Sequence, residues 1–332
     1  MKISTDYSLL HHNSFGLDVK AKKFVEYDSV HELQHYLYTH DKNEALFHIG
    51  GGNNLLFTKD YDGTVMHSAI KGFEVTKVDG HSVHLRLGAM MTWDRVVEST
   101  LRRGYFGLEN LSGIPSEVGA AVVQNIGAYG AEVKDFVESV EAVSLADGEV
   151  HEFSAADCGF GYRMSKFKGE WKGQYAVTHV TLRLSLDFTP NLTYHTLADY
   201  ASGIINATDL RKAILELRGS KLPDPATLGN AGSFFMNPVV DKTVYERLLK
   251  DYPTIPHYSM PNGVKIPAGW LIEQCGWKGK SLGRAAVYSK QALVLVNTGG
   301  ATPQDIVGIA DAVRSDVMDK FGISLKPEVI WI

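Results

Sequence analysis

Only two cysteines, Cys158 and Cys275, stand in 332 residues. Two thiols cannot build a disulfide framework, and their positions lack the paired spacing of a zinc site, so they read as buried thiols in a reducing compartment. Positive charge is also scarce: 33 Lys and Arg face 38 Asp and Glu, a formal net charge of -5. That balance gives no electrostatic footprint for nucleic acid. No apolar run reaches the length of a bilayer span, and the start, MKISTDYSLLHHNSFG, has no continuous apolar core of a signal peptide. The expectation is a cytoplasmic, monomeric protein with no nucleic-acid or membrane partner. No internal repeat and no low-complexity tract interrupts the chain, and no G-x-G-x-x-G fingerprint marks a Rossmann site.

What is present is an ordinary globular composition, 44% hydrophobic and 21% charged, long enough for two or three domains. The pattern is a mixed α+β one. Helices are expected over 29–40 and from Trp93, the latter capped by Thr92 and stopped by Gly104. Others run from Asp209 to Gly219, over 241–250, and over 302–321, where Thr302, Pro303 and Asp305 open the helix and Gly322 closes it. Strands are expected at 45–49, 72–78, 81–87, 174–186 and 327–332, with a hairpin over 137–153 turning at Asp147-Gly148. The run Lys221-Leu222-Pro223-Asp224-Pro225 reads as a boundary between domains.

Three motif matches fail on inspection. His31-Glu32-Leu33-Gln34-His35 fits a zinc-protease pattern, yet Ser29 and Glu32 already form a helix-capping pair, and the extended motif would need glycine and histidine where Tyr38 and Asp41 stand. No metal site is expected. Gly279-Lys280-Ser281 ends like a phosphate loop, but the earlier glycine falls on Gln274. Ser233 is not a nucleophile elbow, since Ala231 and Phe235 occupy the two glycine positions. It remains an unusual serine, set between Gly232 and two phenylalanines, Phe234 and Phe235, which suit the exclusion of water.

Glycine-rich backbone survives in two places. Gly50-Gly51-Gly52-Asn53-Asn54 follows a strand and can present N–H groups to a phosphate, though a tight turn would look the same. The stretch from Ile114 and Pro115 through Gly119, Gln124, Asn125, Gly127, Ala128 and Tyr129 to Gly130 admits a flat ring or pyrophosphate, or else the close packing of a helix on a sheet.

Together with Phe160-Gly161-Tyr162-Arg163, KLPDP, GNAGSFFMNP, AGWLIEQCG, QALVLVN and the Pro327-Glu328-Val329 end, these segments resemble the UDP-N-acetylenolpyruvoylglucosamine reductase (MurB) family. The resemblance is to its type I subgroup, within the vanillyl-alcohol-oxidase-like FAD-binding superfamily, and runs over nearly the whole chain in order. It implies a two-part FAD-binding region, 1–70 and 71–219, a substrate-binding α+β domain over 220–325, and a C-terminal strand, 326–332, returning to the active-site region. It implies non-covalent FAD held by Gly50, Gly51, Gly52, Asn53, Asn54, Ile114, Pro115, Gly119, Gln124, Asn125, Gly127, Ala128 and Tyr129. NADPH would reduce FAD, which would pass hydride to C3 of UDP-N-acetylglucosamine enolpyruvate. Ser233 would deliver the proton to C2, while Arg163 and Glu328 would handle the enolpyruvyl carboxylate. Tyr162, Tyr194, Lys221, Asn237 and Gln291 would bind substrate. Three departures from the family pattern stand out: Asn53 replaces a usual serine, Ser116 a usual glycine, and His195 follows Tyr194 where glycine is usual. Another flavoprotein oxidase of the same superfamily is the alternative reading.

Overall fold

The computed structural model describes residues 1–332, except for the side chains of His195 and Ala198. The chain is α+β and separates into two compact units. The first comprises residues 1–7, 21–51 and 62–218; the second comprises 8–20, 52–61 and 219–332. This division differs from the successive segments expected, because two short early stretches cluster with the C-terminal residues.

In the first unit, a four-stranded sheet runs in the order Lys2–Ser8, Lys20–Tyr27, Tyr61–Ser68, Leu46–Ile49. Helix α1, Val30–Thr39, lays Leu33, Tyr36 and Leu37 on it, an i, i+3, i+4 stripe. Val25, Tyr27 and Met66 receive that stripe from one side, and Val143 and Ala176 complete the same cluster from a second sheet. Glu32, once a zincin candidate, accepts the Asp28 N–H at 3.0 Å and pairs with the N-terminal ammonium of Met1.

The second sheet has five antiparallel strands, ordered Val150–Ser154, Val137–Ser144, Tyr175–Ser185, Ser82–Gly88, Phe73–Asp79. Gly148 turns its first hairpin at φ +78°, as the Asp-Gly signal requires. Helices α2, Trp93–Arg102, and α3, Val118–Gln124, bury Trp93, Val96, Val97, Val118, Ala121 and Val122 against Val83, Leu85, Leu87, Val180 and Leu182. Gly119 is fixed by that packing: a Cβ there would lie 2.9 Å from the Ala89 Cβ. Helix α4, Ala207–Lys221, continues past Gly219, the expected stop. Gly219 does not take the left-handed conformation that ends helices, so nothing terminates the turn there.

The second unit is built on a four-stranded sheet, Asn230–Ser233, Val294–Asn297, Ala285–Val287, Ser281–Leu282. After α5, Lys242–Asp251, and α6, Ala268–Gln274, the long helix α7, Pro303–Phe321, packs on this sheet. Its ends match the sequence signals: Thr302 and Asp305 form a capping box, and Gly322 closes at φ +68°. Residues 8–20 join this unit through close backbone approaches and hydrogen bonds. A Cβ on Gly229 would sit 2.3 Å from the Phe15 carbonyl oxygen, and one on Gly52 only 2.0 Å from that of His12, so glycine alone permits these approaches. Asn297 donates to the Phe15 carbonyl at 2.8 Å, and Asn230 N–H to that of Ser14 at 2.9 Å. Among the described residues, no helix is long and apolar enough to cross a membrane.

Candidate active site

Ser233 owes its setting to a bulge. Strand Asn230–Ser233 pairs with Val294–Asn297 through Asn230↔Val296 and Ser233↔Val294, and the register slips between these two pairs. Gly232, at φ +70°, supplies the left-handed residue the slip needs, which re-aims the serine that follows. Ser233 is half-buried, and its hydroxyl has no hydrogen-bond partner among the described residues. The neighbouring phenylalanines are buried. Phe234 and Phe235 are 0% and 1% exposed and meet edge to face at 4.9 Å, and Phe234 also meets Phe15 and the half-buried Trp331. Burying each contributes about 1.5–3 kcal/mol, which anchors the serine's strand.

The same strand end holds Glu328. Its N–H donates to the Phe234 carbonyl at 2.8 Å, Met236 N–H donates to that of Lys326 at 2.9 Å, and Phe235 bridges Pro327. On its other side the terminal strand Ile330–Trp331 pairs in parallel with Leu55–Leu56, and Asn54 donates its amide to the Glu328 carbonyl at 3.3 Å. Three segments remote in sequence, around Asn54, Ser233 and Glu328, are therefore knitted edge to edge. Asn237 lies further on and caps α6, its Oδ1 accepting the Ala268 N–H at 2.9 Å. Gln291 lies near Gly269, where a Cβ would approach its Oε1 at 3.1 Å. Lys221 is exposed at the end of α4.

In the first unit, Arg163 sits in a tight turn closed by Gly161 N–H to the Met164 carbonyl at 2.9 Å and the reverse bond at 3.1 Å. It adopts φ +54°, a left-handed conformation a non-glycine residue enters only at a cost of order 1 kcal/mol. Its guanidinium donates to the Gly127 carbonyl at 2.8 Å, bringing it onto the glycine-rich segment. Exposed Tyr162 precedes it. Tyr129 and Tyr194 meet edge to face at 5.3 Å. Burial pushes the Tyr129 phenol up, with Arg218 opposing. The side chain of His195 lies outside the described residues.

Asn125 has its side chain bonded within the first unit. It is fully buried at φ +46°, gives its amide to the Gly161 carbonyl at 2.7 Å and Glu132 at 3.0 Å, and accepts the Lys134 N–H at 3.2 Å. Its side chain is spent inside the protein, holding the Arg163 turn. Two further asparagines were not singled out by sequence. Asn110 donates to the carbonyls of Tyr129 and Asn191 at 2.7 and 2.9 Å, and Asn191 to that of Gly130 at 3.1 Å, which ties the Tyr194 segment down. No local pattern signals such long-range amide bridges.

Each unit, taken by itself, leaves main-chain donors of the kind a flavin dinucleotide needs. Among the described residues, the N–H groups of Ile114 and Ser116 in the first unit have no acceptor, nor has that of Gly52 in the second. Gly51 donates to Glu117 at 2.7 Å, so Glu117 holds the turn that carries Gly50. Pro115 is exposed, while Gln124, Gly127 and Ala128 are half-buried along the same stretch, and Asn53 lies half-buried beside Gly52.

An FAD binding domain model matches residues 21–154, and a UDP-N-acetylenolpyruvoylglucosamine reductase C-terminal domain model matches 224–332. UDP-N-acetylenolpyruvoylglucosamine reductase of Bacteroides fragilis is 49% identical over 331 residues, covering 98% of this chain and 99% of the relative. The chain belongs to the UDP-N-acetylenolpyruvoylglucosamine reductase family. The reductase of the same name from Burkholderia pseudomallei is 44% identical over 337 residues, covering 98% of this chain and 96% of that one. The crystal structure of UDP-N-acetylenolpyruvylglucosamine reductase from Thermus caldophilus superposes with a TM-score of 0.70 at 22% identity, over 99% of this chain and 98% of that one, and so shares the fold. Family membership makes the chain an FAD-dependent oxidoreductase.

Proposed function

We infer that this chain reduces UDP-N-acetylglucosamine enolpyruvate to UDP-N-acetylmuramate, in peptidoglycan precursor synthesis, with NADPH as the reductant. FAD, when bound, supplies the hydride for C3 of the enolpyruvyl group. The residues that would hold it are Gly50 to Asn54 and the Ile114 to Tyr129 stretch, through main-chain N–H groups. Substrate would be held by Tyr162, Tyr194, Lys221, Asn237 and Gln291. Arg163 engages the enolpyruvyl carboxylate, whose charge grows as an enolate develops, and its planar fork matches two carboxylate oxygens. Glu328 would hydrogen-bond the same group. Ser233 donates its hydroxyl proton to C2 and recovers one from solvent, completing the addition of hydride and proton across the double bond.

The observation that carries this reading is the unpartnered Ser233 hydroxyl on its bulge, with the Glu328 main chain pinned one strand away at 2.8 Å. A serine is acidic enough for an enolate only when positioned, and the bulge positions it. Cytoplasmic location and a monomeric state belong to the same reading. The test is NADPH oxidation by FAD-loaded protein with and without the enolpyruvyl UDP-sugar. Substrate-dependent oxidation is expected; oxidation indifferent to the sugar overturns the assignment.

A further inference from the structure

Gly113, the residue before Ile114, is gripped from both sides. Its N–H donates to Oδ1 of Asp94 in the first turn of α2 at 2.6 Å. The same carboxylate takes both arms of Arg211 from α4, Nη1 to Oδ1 at 2.6 Å and Nη2 to Oδ2 at 2.8 Å, a planar bidentate pair between residues 117 apart in sequence. Arg218, two turns further along α4, donates Nε to the Gly113 carbonyl at 3.1 Å. Gly113 has φ +70°, which favours glycine, and a Cβ there would lie 2.8 Å from Leu215 Cδ2 of the same helix, so helix and loop meet closely. Trp93, beside Asp94, adds its indole N–H to the Leu111 carbonyl at 3.0 Å and its main-chain N–H to that of Ser116 at 2.8 Å. The loop 111–116 is thus fastened at Leu111, Gly113 and Ser116. Left without acceptors among the described residues are the N–H groups of Ile114 and Ser116.

We propose that Asp94, Arg211 and Arg218 are positioning residues: they clamp Gly113 so that the free N–H groups of the loop face the flavin, and α4 thereby sets flavin affinity. The inference rests on the reading of the chain as a flavoprotein with FAD against this loop. Burial pushes the Asp94 carboxyl up, but its bonds to Arg211 and Gly113 outweigh burial and hold it below the usual carboxylate range, so the clamp stays ionised at neutral pH.

The test compares the full-length parent with Arg211→Met, Asp94→Asn and Arg211→Lys. FAD affinity is measured by flavin fluorescence, the bound flavin's environment by visible circular dichroism, and apoprotein stability by thermal melting. Arg211→Met and Asp94→Asn are expected to bind FAD at least tenfold more weakly with an altered visible dichroism. Arg211→Lys, which keeps the charge but loses the fork, is expected to fall between them and the parent. Affinity within twofold of the parent and unchanged dichroism, whatever the melting temperatures do, overturns the clamp and leaves the flavoprotein reading intact. A parent that takes up no FAD overturns that reading instead. If the first two variants do not fold, Arg211→Lys decides by the same criteria.

Discussion

Replacing Asn125 with alanine tests whether the Arg163 turn is held by this one buried amide. The substitution removes bonds of 2.7 and 3.0 Å donated to Gly161 and Glu132, and one of 3.2 Å accepted from Lys134 N–H. The two neutral bonds are worth about 1 kcal/mol each and the one to a carboxylate about 2. Alanine at φ +46° adds about 1 kcal/mol, since only glycine and asparagine enter the left-handed region readily. Against this, the Gly161 carbonyl keeps the Met164 N–H at 3.1 Å, and Glu132 keeps the Lys134 ammonium at 2.6 Å. Only the Lys134 N–H is orphaned, so the loss settles near about 4 kcal/mol. Urea denaturation of the apoprotein, followed by far-UV circular dichroism, measures it. Because Gly161 roots the turn that carries Arg163, KM for the enolpyruvyl substrate is expected to rise as well. A loss below about 1.5 kcal/mol with unchanged KM would show that the Asn125 amide does not hold the turn.

Acid should destabilise the first unit through His48, whose Nε2 lies 2.6 Å from the Tyr27 hydroxyl and whose pKa burial lowers from 6.5 to about 4. The folded state binds fewer protons than the unfolded one between these values, so the stabilisation is whole above pH 6.5 and is lost as pH falls towards 4. That amounts to about 3 kcal/mol at about 1.4 kcal/mol per pH unit. His67, also lowered by burial against the opposing pull of Glu26, acts in the same direction. Urea midpoints between pH 7 and 4.5 should fall in the parent and fall less in His48→Gln; parallel slopes would exclude His48. Glycines should divide by surroundings. Gly104→Ala, at φ +73° with nothing within 4 Å, should cost only about 1–2 kcal/mol. Gly52→Ala, with a carbonyl oxygen 2.0 Å from the new Cβ, should fail to yield folded protein, and equal melting temperatures for the two would contradict the geometry.

Features written in adjacent residues were legible in the sequence. The Thr302, Asp305 and Gly322 ends of α7 and the Asp147-Gly148 hairpin turn lie where local rules place them, because their partners are three or four residues away. Thr92 and Asp241 also precede their helices, but neither side chain makes a capping bond. What escaped the sequence depends on distant partners. Gly119 packs against Ala89, 30 residues away, and Phe234 and Phe235 sit in the core. The Asp94 and Arg211 pair, and the seating of Glu328 between Asn54 and Phe234, join residues no local window contains. The motifs around Ser233, Arg163 and Glu328 were readable as family signatures; their physical supports were not.

Proton donation from Ser233 to C2 is separable from flavin reduction by replacing the serine. Stopped-flow absorbance can follow the two half-reactions of FAD-loaded Ser233→Ala separately. Flavin reduction by NADPH should match the parent, whereas reoxidation by the enolpyruvyl UDP-sugar should slow by about 10²–10⁴, the usual contribution of a positioned acid. Equal slowing of both half-reactions, or reoxidation at the parent's rate, would exclude Ser233 as the donor.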